Sequence, residues 1–421
     1  MRLNLSTKAL LIAVSGTILQ WYDFALFGYF ASIIASTYFP NSSTFAGLLN
    51  TFILFAVGYL LAPLGSIIFG YIGDCYGRKK ALTISILAMA IPTALMSIVP
   101  GYQVIGIAAP ILIMLLRIMQ GFVASAEYTG SAIFLVEHAP AQKKAFYGCL
   151  TSSAYSGGLI LAGLSASFFT ASFMPDWGWR VGFGFALIAG IIIFFLRTRI
   201  LETPEYQQLS IQEKPKFPFM TALKESPFAI VGVIGIAWMV GIITFGTYVF
   251  TATYLHSFFK LPLSTATFII TISLTVDAFL EPWFAIIADK IGYLKVIRVG
   301  LAILLLFTIP LFYLLSSGQT LWIMAGMMLL SCIIAIICAP LNAYMVLLFP
   351  KQYRFSGFGV AFHIGITIFG GTTPLVMMWL LHSTNNLTAP AWYYVFGAFI
   401  GLCSLVICEY GRSKRVVYVT V

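Results

Sequence analysis

Charged residues are scarce in this sequence. Asp, Glu, Lys and Arg make up 9 % of its 421 residues, whereas soluble globular domains carry about 25 %. Residues with apolar side chains make up 60 %. This balance excludes a soluble globular protein, and most of the chain must therefore lie in lipid.

Motifs that mark chemistry in proteins are also absent. The six cysteines have no C-x-x-C spacing and the four histidines form no ligand motif, so we expect no disulfide framework, no metal site and no cofactor. The sequence contains neither H-E-x-x-H nor G-x-S-x-G, the patterns typical of zinc and serine hydrolases. An enzyme is therefore not expected.

Long apolar runs dominate instead. A helix that spans a bilayer needs about 20 residues, and we count twelve runs of that order, from 9–33 and 46–70 at one end to 391–409 at the other. The first run contains Asp23 and lacks a small-residue cleavage site, so we interpret it as a retained helix and not a signal peptide. The pattern predicts an all-α polytopic membrane protein with twelve transmembrane helices.

The positions of the basic residues orient these helices, because short cytoplasmic loops collect Lys and Arg. Twenty of the 23 basic residues fall at the termini or in every second loop, and Arg197 is counted among these twenty. The exceptions are Arg117, Arg180 and Lys260. We therefore expect a bacterial inner-membrane protein with both termini cytoplasmic. The net charge of +10 follows from this topology and does not indicate nucleic-acid binding.

A weak internal repeat divides the chain. "GYIGDCYGRKKAL", Gly70–Leu82, and "AIIADKIGYLKVI", Ala285–Ile297, share an Asp, a Gly and a basic residue at equal offsets. Two pseudo-symmetric halves around a central path are a standard construction of secondary transporters. The repeat therefore predicts an N-terminal six-helix bundle, a cytoplasmic linker, a C-terminal six-helix bundle and a cytoplasmic tail, at 1–198, 199–226, 227–410 and 411–421.

The repeated loop charges have two interpretations. They are either a solvated charge run that only sets the topology, or a latch. In the latch, Asp74 accepts hydrogen bonds from a neighbouring helix N-terminus and Arg78 pairs with a carboxylate of the adjoining half. The repeat at Asp289 favours the latch. We call its predicted residues the cytoplasmic gate: Gly70, Asp74, Gly77, Arg78, Lys79 and Asp289.

The fourth run, "ILIMLLRIMQGFVASAEY" from residue 111 to 128, carries charge where charge is costly. An Arg near the centre of a membrane helix costs about 2.5 kcal/mol or more. Arg117, Gln120 and Glu127 lie on adjacent stripes of one helix, so we expect a polar ridge that faces a central cavity. Arg117 is either a structural ion-pair partner or a cation for an anionic substrate group. Glu127 is a candidate proton carrier.

The first run places Asp23 beside polar and aromatic residues in "LQWYDFALFG". Asp23 either makes a structural hydrogen bond to a neighbouring helix, or binds the proton or a cationic headgroup with Trp21 or Tyr22 as a cation–π partner. Of the four histidines, His363 lies within an apolar run. The candidate substrate-binding residues are therefore Arg117, Gln120, Gln20, Trp21, Tyr22 and His363.

The eighth run holds a pair of carboxylates. Asp277 and Glu281 are four residues apart on one helical face, and Pro282 follows them. Two carboxylates this close in a low dielectric do not both ionise, so one should hold a proton. The alternative is that Glu281 reaches the cytoplasmic rim and is solvated. The candidate proton-coupling residues are Glu127, Asp277, Glu281 and Asp23.

These stretches carry a family resemblance. The G-x-x-x-D-x-x-G-R-K-K pattern from Gly70 resembles the loop signature of the major facilitator superfamily. "QWYDFALFGYFAS" from Gln20, "RIMQGFVASAEYTGSAIFLVEHAP" from Arg117 and "WGWRVGF" from Trp177 are similar to its metabolite:proton symporter group, which includes betaine/proline, citrate, α-ketoglutarate and shikimate carriers. The resemblance implies proton-coupled symport by alternating access.

The chain departs from the family pattern at positions that bear on the substrate. Cys75 stands where the superfamily usually has a basic residue. The symporter group commonly has Glu where this chain has Gln20, and Arg where it has Ala62. It commonly has two glycines where this chain has Ser125 and Ala126. The identity of the substrate therefore cannot be taken over from the resemblance.

The charges within the runs favour one substrate class. The four candidate carboxylates outnumber Arg117, whereas a di- or tricarboxylate needs two or more fixed cations to offset its desolvation. We therefore expect a monomeric symporter of a zwitterionic osmolyte or amino-acid-like metabolite, with protons, the small solute and the lipid bilayer as its partners. An organic-acid symporter and a siderophore or metabolite exporter on the same fold are the alternatives.

Overall fold

The computed structural model is built from helices. It describes residues 7–40, 51, 54, 58–171 and 173–419, and no strand occurs among them. Twelve long helices, which we label α1 to α12 in chain order, make up most of the described chain. This is the expected all-α architecture, with six of these helices in each half.

The N-terminal half contains helices α1 to α6. Their bounds are Thr7–Tyr29, Ala62–Cys75, Arg78–Ile98, Ala108–His138, Lys144–Phe169 and Gly178–Thr198. The expected second run, 46–70, lies partly outside the described residues, and α2 begins within it. A short helix, Ala31–Tyr38, follows α1.

The C-terminal half contains helices α7 to α12. Their bounds are Pro227–Phe259, Leu263–Ile291, Tyr293–Leu315, Thr320–Leu347, Arg354–Thr384 and Pro390–Val419. Between the halves, the linker forms two short helices, Pro204–Gln207 and Pro218–Glu225. Each of these begins with Pro, which is suited to the first helical turn because its missing N–H would have no partner there.

Ten helices within the described ranges are long and apolar enough to cross a membrane. The other two long helices are α2 and α5. The described part of α2 has 14 residues, and α5 has 26 residues that include many Ser and Gly. By the length and composition of the described residues alone, ten helices are long and apolar enough to be spans. The helices α2 and α5 are recognised as members of the bundle from their packing against the other helices.

Three helices of the C-terminal half are irregular. A π-helical turn interrupts α7 at Gly246–Phe250, and another interrupts α11 at Ile364–Phe369. In α10, the regular helix ends at Cys338 and resumes at Leu341. Pro340 explains this break, because its ring clashes with the preceding turn and it has no N–H to donate. Such local irregularities are frequent at functional sites.

The two halves meet along two seams, where α2 packs on α11 and α5 packs on α8 and α10. Small residues allow this approach. A Cβ atom at Gly70 would lie 2.7 Å from Ser356 Cα, and one at Gly148 would lie 3.1 Å from the Ala343 backbone nitrogen. The halves are thus in close contact beside the cytoplasmic gate.

Within the N-terminal half, α2 and α4 are also in close contact. A Cβ atom at Gly65 would collide with the Phe122 carbonyl oxygen. We therefore expect Gly65→Ala to destabilise the protein by about 1–3 kcal/mol, the usual cost of overpacking. Thermal denaturation in detergent should show a lower midpoint, whereas Gly157→Ala, where no atom lies within 4 Å of the new Cβ, should leave it unchanged. Equal midpoints for the two variants would contradict this packing.

Candidate functional site

A cavity lies between the two halves. Its volume is about 80 Å³, which suits a small solute, since pockets for drug-sized ligands measure about 300 Å³ or more. Residues from α1, α2, α4 and α5 line one side, and residues from α7, α8, α10 and α11 line the other. The polar and aromatic residues of the lining are Gln20, Trp21, Tyr59, Ser125, Tyr128, Ser152, Tyr155, Thr244, Phe245, Asp277, Glu281, Asn342, Phe362, His363 and Thr367.

Four buried polar atoms of this lining have no hydrogen-bond partner within the described residues: Gln20 Oε1, Trp21 Nε1, Asp277 Oδ1 and Glu281 Oε2. Buried polar atoms are normally paired, so four that share one cavity indicate groups available to a bound solute, water or proton. All four residues are among those that the sequence predicts for substrate binding or proton coupling.

The Asp277 and Glu281 side chains face this cavity from α8 and are 4 % and 2 % exposed. No Lys or Arg lines the cavity in the part of the chain that the structure describes. The two carboxylates therefore lie together in a buried site without a neighbouring cation. Because two adjacent charges are unfavourable there, the pair should retain a proton. Glu281 does not reach a solvated rim, so that alternative is wrong.

Aromatic rings form the opposite walls. The rings of Trp21 and Tyr155 meet edge to face with their centroids 4.4 Å apart. Tyr128 of the N-terminal half stacks on Phe362 of the C-terminal half at 5.2 Å. The faces of such rings attract cations, so the walls are suited to a cationic headgroup.

Polar contacts join the halves beside the cavity. Asn342 Nδ2 donates to Gly148 O at 3.2 Å and to Ser152 Oγ at 3.1 Å. His363 Nδ1 lies 3.0 Å from Ser66 Oγ. Asn342 was missed in the sequence, although "APLNAY" places one amide in a long apolar run, which was a signal that could have identified it.

Glu127 lies outside this cavity, in an ion pair with Arg197 of α6. Arg197 donates to both carboxylate oxygens at 2.8 Å, and neither side chain is exposed. Ser85 of α3 donates to the same carboxylate. The sequence counts Arg197 among the cytoplasmic basic residues; it lies in the last turn of α6, but its side chain is buried in the N-terminal half.

Arg117 and Gln120 belong to a second internal cluster. Arg117 Nη1 lies 3.5 Å from Asp23 Oδ2 and donates to Gln120 Oε1 at 3.0 Å. Its guanidinium also stacks on the Phe27 ring, 3.7 Å from the centroid. Gln120 donates in turn to Thr93 of α3 at 2.8 Å. These contacts match the structural interpretations of Arg117 and Asp23.

The expected polar ridge on α4 is therefore wrong. The face of α4 that lines the cavity consists of Gly121, Ala124, Ser125 and Tyr128, whereas Arg117, Gln120 and Glu127 face α1, α3 and α6. A charge in low dielectric needs a partner, and the partners lie on those helices. Tyr22 also points away from the cavity, since its hydroxyl donates to Gly182 O of α6 at 2.9 Å.

The cytoplasmic gate contains two equivalent caps. Asp74 accepts hydrogen bonds from Phe355 N at 3.0 Å and Ser356 N at 2.9 Å, at the start of α11 in the other half. Asp289 accepts bonds from Ala145 N at 2.8 Å and Phe146 N at 3.0 Å, at the start of α5. Each carboxylate thus neutralises the positive end of a helix across the interface, in the way that the latch interpretation expects for Asp74.

Arg78 completes the gate with a different partner from the one expected. It pairs with Asp74 at 3.1 Å and with Glu137 at 3.3 Å, and both carboxylates belong to its own half. Its bond to the other half goes to the Lys351 carbonyl at 2.6 Å. Glu137 then bridges the halves, because Arg354 of α11 also pairs with it at 2.9 Å. Glu137 was missed because it ends a long apolar run as a single charge.

The linker adds a third layer to the gate. Glu205 pairs with Arg354 and with Lys144. Partial burial raises the pKa of Glu205, but the two cations outweigh it and lower the pKa below its ordinary value. Glu205 therefore stays ionised at neutral pH. Tyr206 donates to Cys75 O at 2.8 Å, which ties the linker to the end of α2.

The remaining predicted gate residues are Gly77, Lys79 and Gly70, which contribute a backbone conformation, hydrogen bonds to the linker side and a close packing contact. Gly77 has φ 118°, a conformation that favours glycine, and Gly292 at the equivalent position of the repeat has φ 102°. Lys79 N donates to Glu202 at 3.1 Å, and its Nζ donates to Thr198 O at 2.8 Å. Gly70 provides the close contact with Ser356 noted above. All six gate residues therefore lie at the same end of the two seams, the end that the basic loop residues predict to be cytoplasmic.

Replacing Asp74 with Asn should loosen this gate. The amide keeps one acceptor oxygen, so it loses one of the two bonds to α11 and the ion pair with Arg78, a cost of about 1.5–3 kcal/mol. We expect amide hydrogen exchange at Phe355 and Ser356 to accelerate by about 10- to 100-fold. Lys80→Gln, which changes an exposed charge in the same loop, should have no such effect. Unchanged exchange in Asp74→Asn would contradict the cap.

A comparison with known families identifies the fold. The model of the Major Facilitator Superfamily matches residues 13–374. The chain belongs to the major facilitator superfamily. Its resemblance to that superfamily, its all-α fold class and its construction from two six-helix bundles are thereby confirmed.

Curated relatives of this major facilitator are transporters. The chain is 32 % identical over 414 residues to the proline/betaine transporter of Escherichia coli K12, a match that covers 94 % of this chain and 82 % of the relative. It is 30 % identical over 413 residues to the glycine betaine/proline/ectoine/pipecolic acid transporter OusA of Dickeya dadantii, covering 94 % and 81 %. The protein is therefore an integral membrane transporter of small molecules and not an enzyme.

Solved structures show the same fold. The proton:xylose symporter XylE superposes with a TM-score of 0.76 at 16 % identity, covering 96 % of this chain and 95 % of XylE. The human organic anion transporter MFSD10 superposes with a TM-score of 0.73 at 13 % identity, covering 96 % and 99 %. At these identities the likeness concerns the fold alone.

Proposed function

We propose that this transporter is a proton-coupled symporter of a small zwitterionic osmolyte, such as a betaine or proline. The observation that carries the proposal is the Asp277 and Glu281 pair, buried in a cavity that no Lys or Arg lines within the described residues. A di- or tricarboxylate would meet two acidic groups and no fixed cation there. The names of the proline/betaine relatives support the same substrate class.

The substrate would be held at both of its ends. The unmatched atoms of the cavity include a donor, Trp21 Nε1, and acceptors on Gln20, Asp277 and Glu281. A zwitterion can pair with both the donor and the acceptors, because its carboxylate accepts a hydrogen bond and its ammonium group is attracted to oxygen atoms. The rings of Tyr155 and Tyr128 add cation–π attraction for the ammonium end.

The proton would reside on the Asp277 and Glu281 pair. Mutual repulsion keeps a proton on one carboxyl, and the carboxylate that stays ionised attracts the cationic end of the substrate, so proton and substrate can occupy the cavity together. Glu127 and Asp23 have a different role in this proposal, because Arg197 and Arg117 already neutralise them. They hold the helices of the N-terminal half in register.

Transport would proceed by rocking of the two halves about the cavity. The gate contacts are formed in the structure, and in this proposal they close the carrier toward the cytoplasm. We propose the halves 1–198 and 227–410 as the moving units, joined by the linker 199–226 and followed by the tail 411–421. In this arrangement both termini are cytoplasmic in a bacterial inner membrane, and the monomer is the working unit.

Reconstitution in proteoliposomes tests this function. With one proton per substrate, an inward gradient of about one pH unit drives at most about tenfold accumulation. We expect radiolabelled glycine betaine or proline to accumulate and a protonophore to abolish the accumulation. Accumulation of citrate instead would identify an organic-acid symporter, and uptake that does not respond to the gradient would contradict proton coupling.

A further inference from the structure

An open groove lies on the surface of the N-terminal half, and it shares no lining residue with the cavity. Its volume is about 420 Å³, and it lies between the end of α3 and the first half of α6, lined by Ser97, Arg180, Gly184, Phe185 and Ile188 among others. Phe185 and Ile188 are exposed. A Cβ atom at Gly184 would meet no atom closer than Ser97 Oγ at 3.7 Å. The missing side chain at Gly184 therefore leaves the groove open.

Arg180 closes one end of this groove. Arg180 is one of the three basic residues that lie outside the predicted cytoplasmic loops and termini. It has no role in the proposed transport cycle. Its Nη1 donates to Ser97 O at 2.9 Å and to Val99 O at 2.7 Å, at the C-terminus of α3. A guanidinium has five N–H donors. The bonds through Nη1 therefore position the group and leave donors for an anion.

The length of the groove matches one leaflet of a bilayer. Arg180 and Ile188 are eight residues apart on α6, about 12 Å along the helix axis. Half of the hydrocarbon core is about 15 Å thick. Trp177, also part of the lining and exposed, precedes α6, and tryptophan is enriched where a helix meets the headgroup region.

We propose that this groove is a binding site for one phospholipid. The phosphodiester would accept hydrogen bonds from Arg180, and one acyl chain would lie along α6 past Gly184 to Ile188. Charge complementarity selects this occupant, because the site pairs a fixed cation with an apolar channel, which is the pattern of a phospholipid. A neutral lipid would fill the channel but leave Arg180, which bonds to two neutral carbonyls, without an anionic partner.

Native mass spectrometry of the full-length protein in detergent tests the site. We expect the unmodified protein to retain added phosphatidylglycerol and to bind diacylglycerol, which lacks the phosphate, about tenfold less. Arg180→Gln should lower the occupancy by phosphatidylglycerol by about the same factor, since it removes the charged donor. Gly184→Leu should lower it as well, because the new side chain occupies the acyl channel.

Gly163→Leu is the matched control. Gly163 lies on α5 outside the groove, and a Cβ there would be 3.8 Å from the nearest atom, Tyr29 Oη, so occupancy should stay at the unmodified level. If Arg180→Gln fails to fold because α3 loses its bonds, Gly184→Leu still tests the site, since it leaves those bonds intact. Equal binding of the two lipids, or full occupancy in Gly184→Leu, would overturn the proposal.

Discussion

Replacing Glu281 with glutamine is expected to abolish proton-driven accumulation while sparing substrate exchange. The amide can neither take up nor release a proton, so the pair loses one of the two carboxyls on which the coupled proton is proposed to reside. Under an inward gradient of about one pH unit, the accumulation ratio should fall from at most about ten to about one. Counterflow of labelled glycine betaine or proline, which needs no net proton movement, should continue.

The control for this variant is the double substitution Glu127→Gln with Arg197→Gln. It removes a buried carboxylate together with the cation that pairs with it and leaves the cavity lining unchanged. We expect it to retain gradient-driven uptake. Loss of accumulation with intact counterflow in this double variant would instead assign the proton to Glu127, one of the candidates that the sequence offers. Full accumulation by Glu281→Gln would remove the pair on α8 from the coupling step.

Replacing Arg197 alone with glutamine is expected to cause the largest loss of stability. The substitution leaves the carboxylate of Glu127 buried without its cation, and breaking a buried ion pair in this way costs about 3–5 kcal/mol. Arg197 also donates to the Leu82 and Ala13 carbonyls, so three helices lose contacts. The thermal midpoint in detergent should fall by on the order of 10 °C.

The double variant provides the comparison for stability as well. Removing both charges avoids leaving one of them unpaired, so much of the midpoint lost in Arg197→Gln should return. A matched surface change, Arg199→Gln, removes a neighbouring charge that is exposed and should have little effect. If Arg197→Gln unfolds at the same temperature as Arg199→Gln, the pair does not stabilise the N-terminal half.

Two features of the functional region were accessible from the sequence. The i, i+4 spacing of Asp277 and Glu281 identifies a carboxylate pair, and the structure places both on the cavity, because local helical geometry decides which residues share a face. The loop repeat at Asp74 and Asp289 predicts matching roles, and the structure shows two matching helix caps across the interface. Both inferences depend on positions close together in the chain or on equal offsets.

The face of α4 that meets the cavity could not be predicted in the same way. Arg117, Gln120 and Glu127 share a region of the helix surface, as the period predicts, but period alone does not say which neighbour that surface meets. The neighbour is decided by residues distant in sequence, since Glu127 pairs with Arg197 and Arg117 lies beside Asp23. Gly121 and Ala124, which look like ordinary packing positions, line the cavity instead, together with Ser125.

The sequence by itself determined that the protein lies in a membrane, that it consists of two related sets of helices, and that the loops of the two sets repeat an arrangement of charge. Composition and the length of the apolar runs suffice to predict membrane-spanning helices, because few backbone structures other than helices satisfy their polar groups in lipid. The tertiary structure decided which buried charges neutralise one another and which face the cavity. A charge in low dielectric takes its role from its partner, and here the partners come from other helices.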